Sequence, residues 1–153
     1  AGGLGGLLDC ACLWGKGAVM IKLSDFVGDW RLTRRISHSD GSVARFEGRA
    51  VFAPDPAGLR YHESGDLVLP GGQRMTGERS YLWREAGAQI AVAFADGRPF
   101  HVIDPADPRA HHSCAPDSYD VRYAFCDWPR WHCVWRVQGP RKDYVMESHY
   151  TRL

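Results

Sequence analysis

The chain has 153 residues, enough for one domain with a substantial buried core. Hydrophobic residues make up 44% of it and charged residues 24%, which is typical of a globular protein. The net charge of +1 without a basic stripe argues against nucleic-acid binding, and no apolar run approaches the ~20 residues that span a bilayer.

Residues 1–19 differ in character from the rest of the chain. They begin with glycines and leucines that show no periodicity, and they lack the basic start of a secretory signal. Met20 looks like a natural beginning. We therefore expect residues 1–19 to be a leader outside the domain, either a flexible extension or an over-long start, and residues 20–153 to fold. The alternative is a genuine arm or a lipid-facing segment.

The remaining chain alternates short strands with turns. Ser24 can cap one helical turn that Gly28 ends. Apolar and polar residues then alternate in nine segments, which predict strands at 30–36, 43–52, 59–69, 74–83, 90–95, 100–104, 119–125, 131–137 and 144–152. Scarcely any stretch has a helical period. This pattern predicts an all-β sandwich or barrel.

The number of strands raises a difficulty. In an up-and-down meander, the first and last strands pair antiparallel only if the strand number is even. Nine segments therefore mean that one strand has been split at Gly97 or that one has been missed, for example within residues 105–117. We expect eight to ten strands.

A family resemblance decides between sandwich and barrel. The Gly28-Asp29-Trp30 run on the first strand, with Arg152 closing the last, resembles the signature of the calycins, the lipocalin-like β-barrels. Residues 94–101, 112–119 and 139–144 resemble a small, uncharacterised bacterial lipocalin-like family over residues 24–152. The resemblance implies a single antiparallel up-and-down barrel, closed by Gly28, Trp30 and Arg152 with the guanidinium stacked on the indole. It implies no reaction.

Alternation also predicts what faces the barrel interior. The aromatic residues on that face are Trp30, Phe46, Phe52, Tyr61, Tyr81, Trp83, Phe94, Tyr119, Tyr123, Trp135 and Tyr150. Gly48, Ala50 and Gly65 are small and should leave room for a ligand. Arg34, Glu63 and Arg79 share the face, and buried charges need a partner or a purpose. Either an arginine binds a ligand carboxylate or phosphate, or Glu63 pairs with an arginine in a filled interior.

A polar cluster is expected at one end of the barrel, the mouth. The loop 105–117 and the turn 139–143 are separated by two strands and should emerge together there, which gathers His111, His112, Cys114, Asp117, Arg141 and Lys142. Three interpretations stay open. The first is a zinc site at His111, His112 and Cys114, although the spacing is not a recognised one. The second is an acid–base site of His101 or His112 with Asp117. In the third, Asp117 pairs with Arg141 while Lys142 stays solvated.

We expect a cytoplasmic barrel that binds a small apolar or amphipathic, anionic molecule inside. The expected ligand contacts are Arg34, Glu63 and Arg79 at the polar end, Tyr61, Tyr81, Trp83 and Tyr119 along the body, and Arg141 and Lys142 at the mouth. The cytoplasm is inferred from five irregularly spaced cysteines, which argue against a disulfide framework.

Two alternatives remain for the function. The first is an isomerase or cyclase with His101, Glu63 or Asp117 as proton carrier. The second is a structural or interaction barrel with no ligand, which the lack of any cavity above about 300 Å³ would indicate. No cofactor is expected, with haem or zinc as the alternatives. Oligomeric state and ligand identity stay open.

Overall fold

Ten antiparallel strands and one 3₁₀ turn make up the computed structural model. It describes residues 21–106, 109–114 and 116–153, with the backbone alone for 109–114. After the 3₁₀ turn Leu23–Phe26, the strands are β1 Gly28–His38, β2 Val43–Asp55, β3 Gly58–Val68, β4 Arg74–Ala86, β5 Gln89–Phe94, β6 Pro99–Ile103, β7 Arg109–Cys114, β8 Asp117–Ala124, β9 Trp131–Gln138 and β10 Asp143–Arg152. The predicted leader, residues 1–19, lies outside the described residues.

Each strand pairs with the next along the chain, and β1 also pairs with β10. The sheet order is β6-β5-β4-β3-β2-β1-β10-β9-β8-β7. The β1–β10 register runs from Trp30 opposite Arg152 to His38 opposite Tyr144. The edge strands β6 and β7 come side by side, so the sheet curls into a nearly closed barrel. The prediction of an all-β, up-and-down antiparallel barrel is confirmed.

The tenth strand resolves the parity problem. It is β7, which lies within the segment 105–117 that the alternation pattern left unassigned. Gly97, with φ +91°, turns the chain between two separate strands, β5 and β6. This strand corrects the prediction that the whole segment 105–117 emerges at the mouth. The segment begins at the opposite end of the barrel, where Gln89 donates to Asp104 at 3.4 Å. Of this segment, only the β7–β8 turn lies at the mouth.

The closed end of the barrel is sealed by Trp30. Its side chain is fully buried, and its Nε1 donates to the carbonyl of Phe26 at 2.9 Å. The Arg152 guanidinium carbon lies 4.0 Å from the centroid of the indole ring. This guanidinium donates to the carbonyls of Val27, at 2.7 Å, and Asp25. A side chain at Gly28, which has φ +121°, would meet Arg152 Nη1 at 3.1 Å, so a larger residue would push the guanidinium away.

The upper interior is filled by Phe46. Gly48, Gly65 and Gly77 are adjacent across β2, β3 and β4. A Cβ at any of them would lie 2.8–3.4 Å from the Phe46 ring. The Phe46 ring therefore packs against the backbone of these three glycines. The expectation that small residues leave room for a ligand is wrong at Gly48 and Gly65, because Phe46 occupies that space.

The cysteines also depart from expectation. Cys126 is disulfide-bonded, so the irregular spacing of the cysteines did not exclude a disulfide. Cys133 is a free thiol, buried on β9. Burial raises its pKa to about 12, which keeps the thiol protonated and unreactive near neutral pH. Among the described residues, no helix has the length and apolarity needed to cross a membrane.

Candidate ligand-binding site

A buried ion pair lies in the centre of the barrel. Strand β1 contributes Arg34 and β3 contributes Glu63, with 9% and 2% of their surfaces exposed. Arg34 Nη2 lies 2.9 Å from Glu63 Oε2, and Nη1 donates to Oε1 at 3.1 Å. Its Nε donates to the hydroxyl of Ser148 on β10 at 2.7 Å. Burial acts to lower the pKa of Arg34, but Glu63, Tyr150 and Tyr61 together outweigh it and raise the pKa above its ordinary value. Arg34 therefore stays charged.

Tyrosine hydroxyls and flat rings surround the ion pair. The hydroxyls of Tyr61 and Tyr150 share a hydrogen bond of 2.9 Å. Burial is the main reason that the pKa of each is raised above the ordinary value. The Tyr150 ring also stacks on Trp131, with centroids 3.7 Å apart and planes within 4°. These contacts hold neutral hydroxyls beside the guanidinium.

A small cavity lies among these groups. Its volume is about 20 Å³. That is room for one water-sized group, and it is far below the roughly 300 Å³ of ordinary ligand pockets. The residues that line it are Arg34, Tyr61, Glu63, Tyr81, Trp83, Val92, Tyr123, Trp131, Cys133, Trp135 and Tyr150. By volume alone, the interior of this conformation is filled.

Two indole N–H groups of residues that line the cavity have no hydrogen-bond acceptor in the part of the chain that the structure describes. They are Nε1 of Trp131 and Nε1 of Trp135, both shielded from solvent. The Trp135 side chain does lie within hydrogen-bonding reach of Tyr123 and Cys133. Burial raises the pKa values of these two groups, whereas the Trp135 side chain lowers them. Trp131 Nε1 has no such contact among the described residues. A buried donor without a partner costs stability, so these donors require an explanation.

The mouth carries four half-buried aromatic rings, which we call the mouth rings: Tyr81, Phe94, Tyr119 and Tyr144. Burial raises the pKa of both Tyr81 and Tyr144, and the exposed Arg79 guanidinium opposes the rise at both. Arg79 therefore lies near two of the rings. Tyr81 also lines the inner cavity, so this residue joins the mouth to the interior.

Lys142, rather than Arg141, pairs with Asp117. Its Nζ lies 3.1 Å from Asp117 Oδ2 and 3.4 Å from the hydroxyl of Tyr119. The hydrogen bond to Asp117 is the main reason that the pKa of Lys142 is raised. Arg141 is exposed. The prediction that Asp117 pairs with Arg141 is therefore wrong in the choice of cation, because the tight β9–β10 turn presents Lys142 to β8.

The three residues predicted as proton carriers have different partners. Glu63 pairs with Arg34, and Asp117 pairs with Lys142. His101 is buried on β6, with its Nε2 3.0 Å from the Tyr123 hydroxyl. The structure therefore does not bring the three together in one hydrogen-bonded group. The side chains of His111, His112 and Cys114 lie outside the described residues, and among the described side chains no group of three or more His, Cys, Asp or Glu is placed to hold a metal ion.

Sequence reasoning found part of this site. Period-two alternation indicated the inward positions of Arg34, Glu63 and Tyr61, and it left open the Glu63–arginine pair that the structure contains. It did not single out Trp131, or Ser148 as the partner of Arg34. Ser148 lies an even number of residues from Tyr150 on the same strand, so alternation could have identified it.

A family model described as "Family of unknown function (DUF6314)" matches residues 26–152. This range lies close to the 24–152 that the sequence motifs indicate. No curated protein matches the chain significantly.

One solved structure resembles the chain with a TM-score above 0.5. The S-type phycobiliprotein lyase CPES from Guillardia theta matches with a TM-score of 0.54 and 10% identity, over 86% of this chain and 90% of that one. At this identity the likeness shows the fold alone, a calycin-like barrel.

Two weaker matches are a designed fluorescence-activating β-barrel and a DUF3598-family protein of unknown function from Nostoc punctiforme. The designed barrel has a TM-score of 0.42 and 13% identity, over 87% of this chain and 99% of that one. The Nostoc protein has a TM-score of 0.48 and 14% identity, over 87% of this chain and 49% of that one.

Proposed function

The chain belongs to the DUF6314 family of unknown function, and from its site geometry we propose that it binds a small amphipathic anion at the mouth of its barrel. The apolar body of the ligand packs on the mouth rings, and its anionic end meets Arg79. The observation that carries this proposal is the placement of an exposed guanidinium beside two half-buried tyrosine rings at the open end of the barrel.

The mouth suits such a ligand for physical reasons. Half-buried rings offer apolar surface that loses its water when a ligand covers it. Among the described residues, no carboxylate oxygen forms an ion pair within 4.0 Å of the Arg79 guanidinium. Lys142, in contrast, is paired with Asp117. A guanidinium recognises a carboxylate, sulfonate or phosphate with two parallel hydrogen bonds. Arg79 is therefore the cation that we assign to the ligand.

The interior argues against Arg34 as the anchor for the anion. Its charge is already compensated by Glu63 at 2.9 Å. A second anion there would leave an excess negative charge in a buried site, which is costly. The cavity of about 20 Å³ is also too small for the body of a ligand. These facts support a body bound at the mouth rather than deep inside the barrel.

Two dyes of matched shape test the proposal. The anion 1-anilinonaphthalene-8-sulfonate and the neutral N-phenyl-1-naphthylamine share an aromatic body and fluoresce when they bind apolar surface. We expect the folded protein to bind both at a saturable site. Arg79→Ala should weaken binding of the sulfonate about fivefold, the value of one partly exposed charge contact, and leave the neutral dye unchanged.

The matched control is Arg74→Ala. Arg74 is exposed on the same strand, but it lies five residues from Arg79 and hence on the opposite face of the sheet. We expect it to leave both affinities unchanged. If neither dye binds saturably to the folded protein, or if the two arginine variants weaken the sulfonate equally, the proposal is wrong.

A further inference from the structure

We infer that the inner cavity accepts a single neutral oxygen acceptor, such as a ketone, ester or amide carbonyl, from the buried end of the ligand. The inference rests on the proposed function, because the rest of the ligand is then held at the mouth. Trp131 donates to this oxygen through its Nε1–H group. The ligand is thus an anion at one end and a carbonyl compound at the other.

The balance of donors and acceptors favours an oxygen acceptor. Among the described residues, the indole Nε1–H of Trp131 has no acceptor. The hydroxyls of Tyr61 and Tyr150 share one hydrogen bond, which leaves one hydroxyl proton for another acceptor. On the acceptor side, Glu63 Oε1 accepts from Arg34 Nη1, whereas Glu63 Oε2 lies 2.9 Å from Arg34 Nη2 in the ion pair but has no hydrogen-bond partner among the described residues. The charge of this one acceptor is already compensated by Arg34, so a neutral oxygen from the ligand is the acceptor that satisfies the Trp131 indole.

The charge of the cavity favours a neutral group. Arg34 and Glu63 cancel within the cavity lining, and neither is exposed by more than 9%. The tyrosines around them stay protonated, since burial raises their pKa values. A carboxylate would add an uncompensated charge to this site, whereas a carbonyl oxygen adds none.

The size and position of the cavity fit one oxygen. A volume of about 20 Å³ holds a water-sized group and little more. Tyr81 borders both this cavity and the mouth. An aromatic body on the mouth rings can therefore place an attached carbonyl oxygen in the cavity.

A pair of neutral probes tests this inference. 2-Acetylnaphthalene and 2-ethylnaphthalene differ by one carbonyl oxygen, and both compete with N-phenyl-1-naphthylamine. We expect the ketone to bind about five- to tenfold more tightly than the hydrocarbon, as one or two neutral hydrogen bonds allow. Trp131→Phe should abolish that preference and leave the affinity for 2-ethylnaphthalene almost unchanged.

The control is Trp128→Phe, which removes an indole that packs at the closed end against Phe26 and Trp30. It should keep the ketone preference. In ¹H–¹⁵N spectra, the Trp131 indole resonance, identified by its loss in Trp131→Phe, should shift downfield with the ketone and stay in place with the hydrocarbon.

The possible failures are distinguishable. If N-phenyl-1-naphthylamine does not bind at all, the proposed function fails and this inference fails with it. If the dye binds but the ketone and the hydrocarbon compete equally, the inference alone is overturned. A ketone preference that survives Trp131→Phe overturns it as well, since the preference then comes from another donor.

Discussion

The buried Arg34–Glu63 pair gives the sharpest test of how this barrel is stabilised. We consider Glu63→Leu alone and together with Arg34→Met. The single change leaves Arg34, which is 9% exposed in the structure, charged. Among the described residues it keeps the hydrogen bond to the Ser148 side chain and its contact with the Phe46 ring, whose centroid is 5.4 Å away. Arginine does not give up its proton in a protein, so the charge stays buried without compensation.

The expected loss follows from the burial of the pair. Removing one partner of a buried ion pair costs about 3–5 kcal/mol. Replacing both partners with apolar side chains of similar volume is often neutral or stabilising. We therefore expect Glu63→Leu to lower the free energy of unfolding by about 3–5 kcal/mol, and the double variant to lie within about 1 kcal/mol of the original protein or above it.

Urea unfolding measures both values. With a slope of about 2 kcal/mol/M, the single variant should lose roughly 1.5–2.5 M in its midpoint, at an unchanged slope. The double variant should recover most of that loss. A single variant that loses less than about 1 kcal/mol would show that water reaches the pair and screens it. A double variant as unstable as the single one would show that the pair itself contributes net stability, against the reasoning above.

Two further predictions concern the closed end and the outer face. Arg152→Ala removes the stacking on the indole at 4.0 Å and the hydrogen bonds to two carbonyls, so we expect Tm to fall by about 5–10 °C. The control Arg31→Ala, at an exposed residue, should change Tm by less than about 2 °C. If both variants lower Tm equally, the role of Arg152 is refuted. The pKa of His132 is lowered from 6.5 by burial and by the adjacent His149. Because the unfolded chain then takes up its proton first, stability is full above pH 6.5 and falls as the pH drops below it. His132→Gln should reduce the fall in Tm between about pH 7.5 and 5.5; a Tm profile identical to that of the original protein would count against it.

Local pattern predicted an all-β sandwich or barrel, and the family resemblance selected the barrel. Period-two alternation indicates which side chains face inward, because successive side chains of a strand point to opposite faces. The Gly28–Trp30 run and Arg152 predicted which end is closed, and the structure stacks the guanidinium on that indole. Strand β7 was not predicted, because its polar sequence, Arg109–Cys114, does not alternate apolar residues with polar ones.

The contents of the barrel were decided only by tertiary structure. Alternation assigns a side chain to a face, but not to the neighbours that register and curvature bring to it. No local pattern shows that Phe46 lies across the glycines of three strands. The same is true of the partner of Glu63, which is Arg34 rather than Arg79. It is also true of the partner of Asp117, which is Lys142 rather than Arg141. The sequence determined a β-barrel with charged and aromatic residues facing inward. Packing across strands far apart in the chain decided that the interior is almost full, and that unsatisfied indole donors border the space that remains.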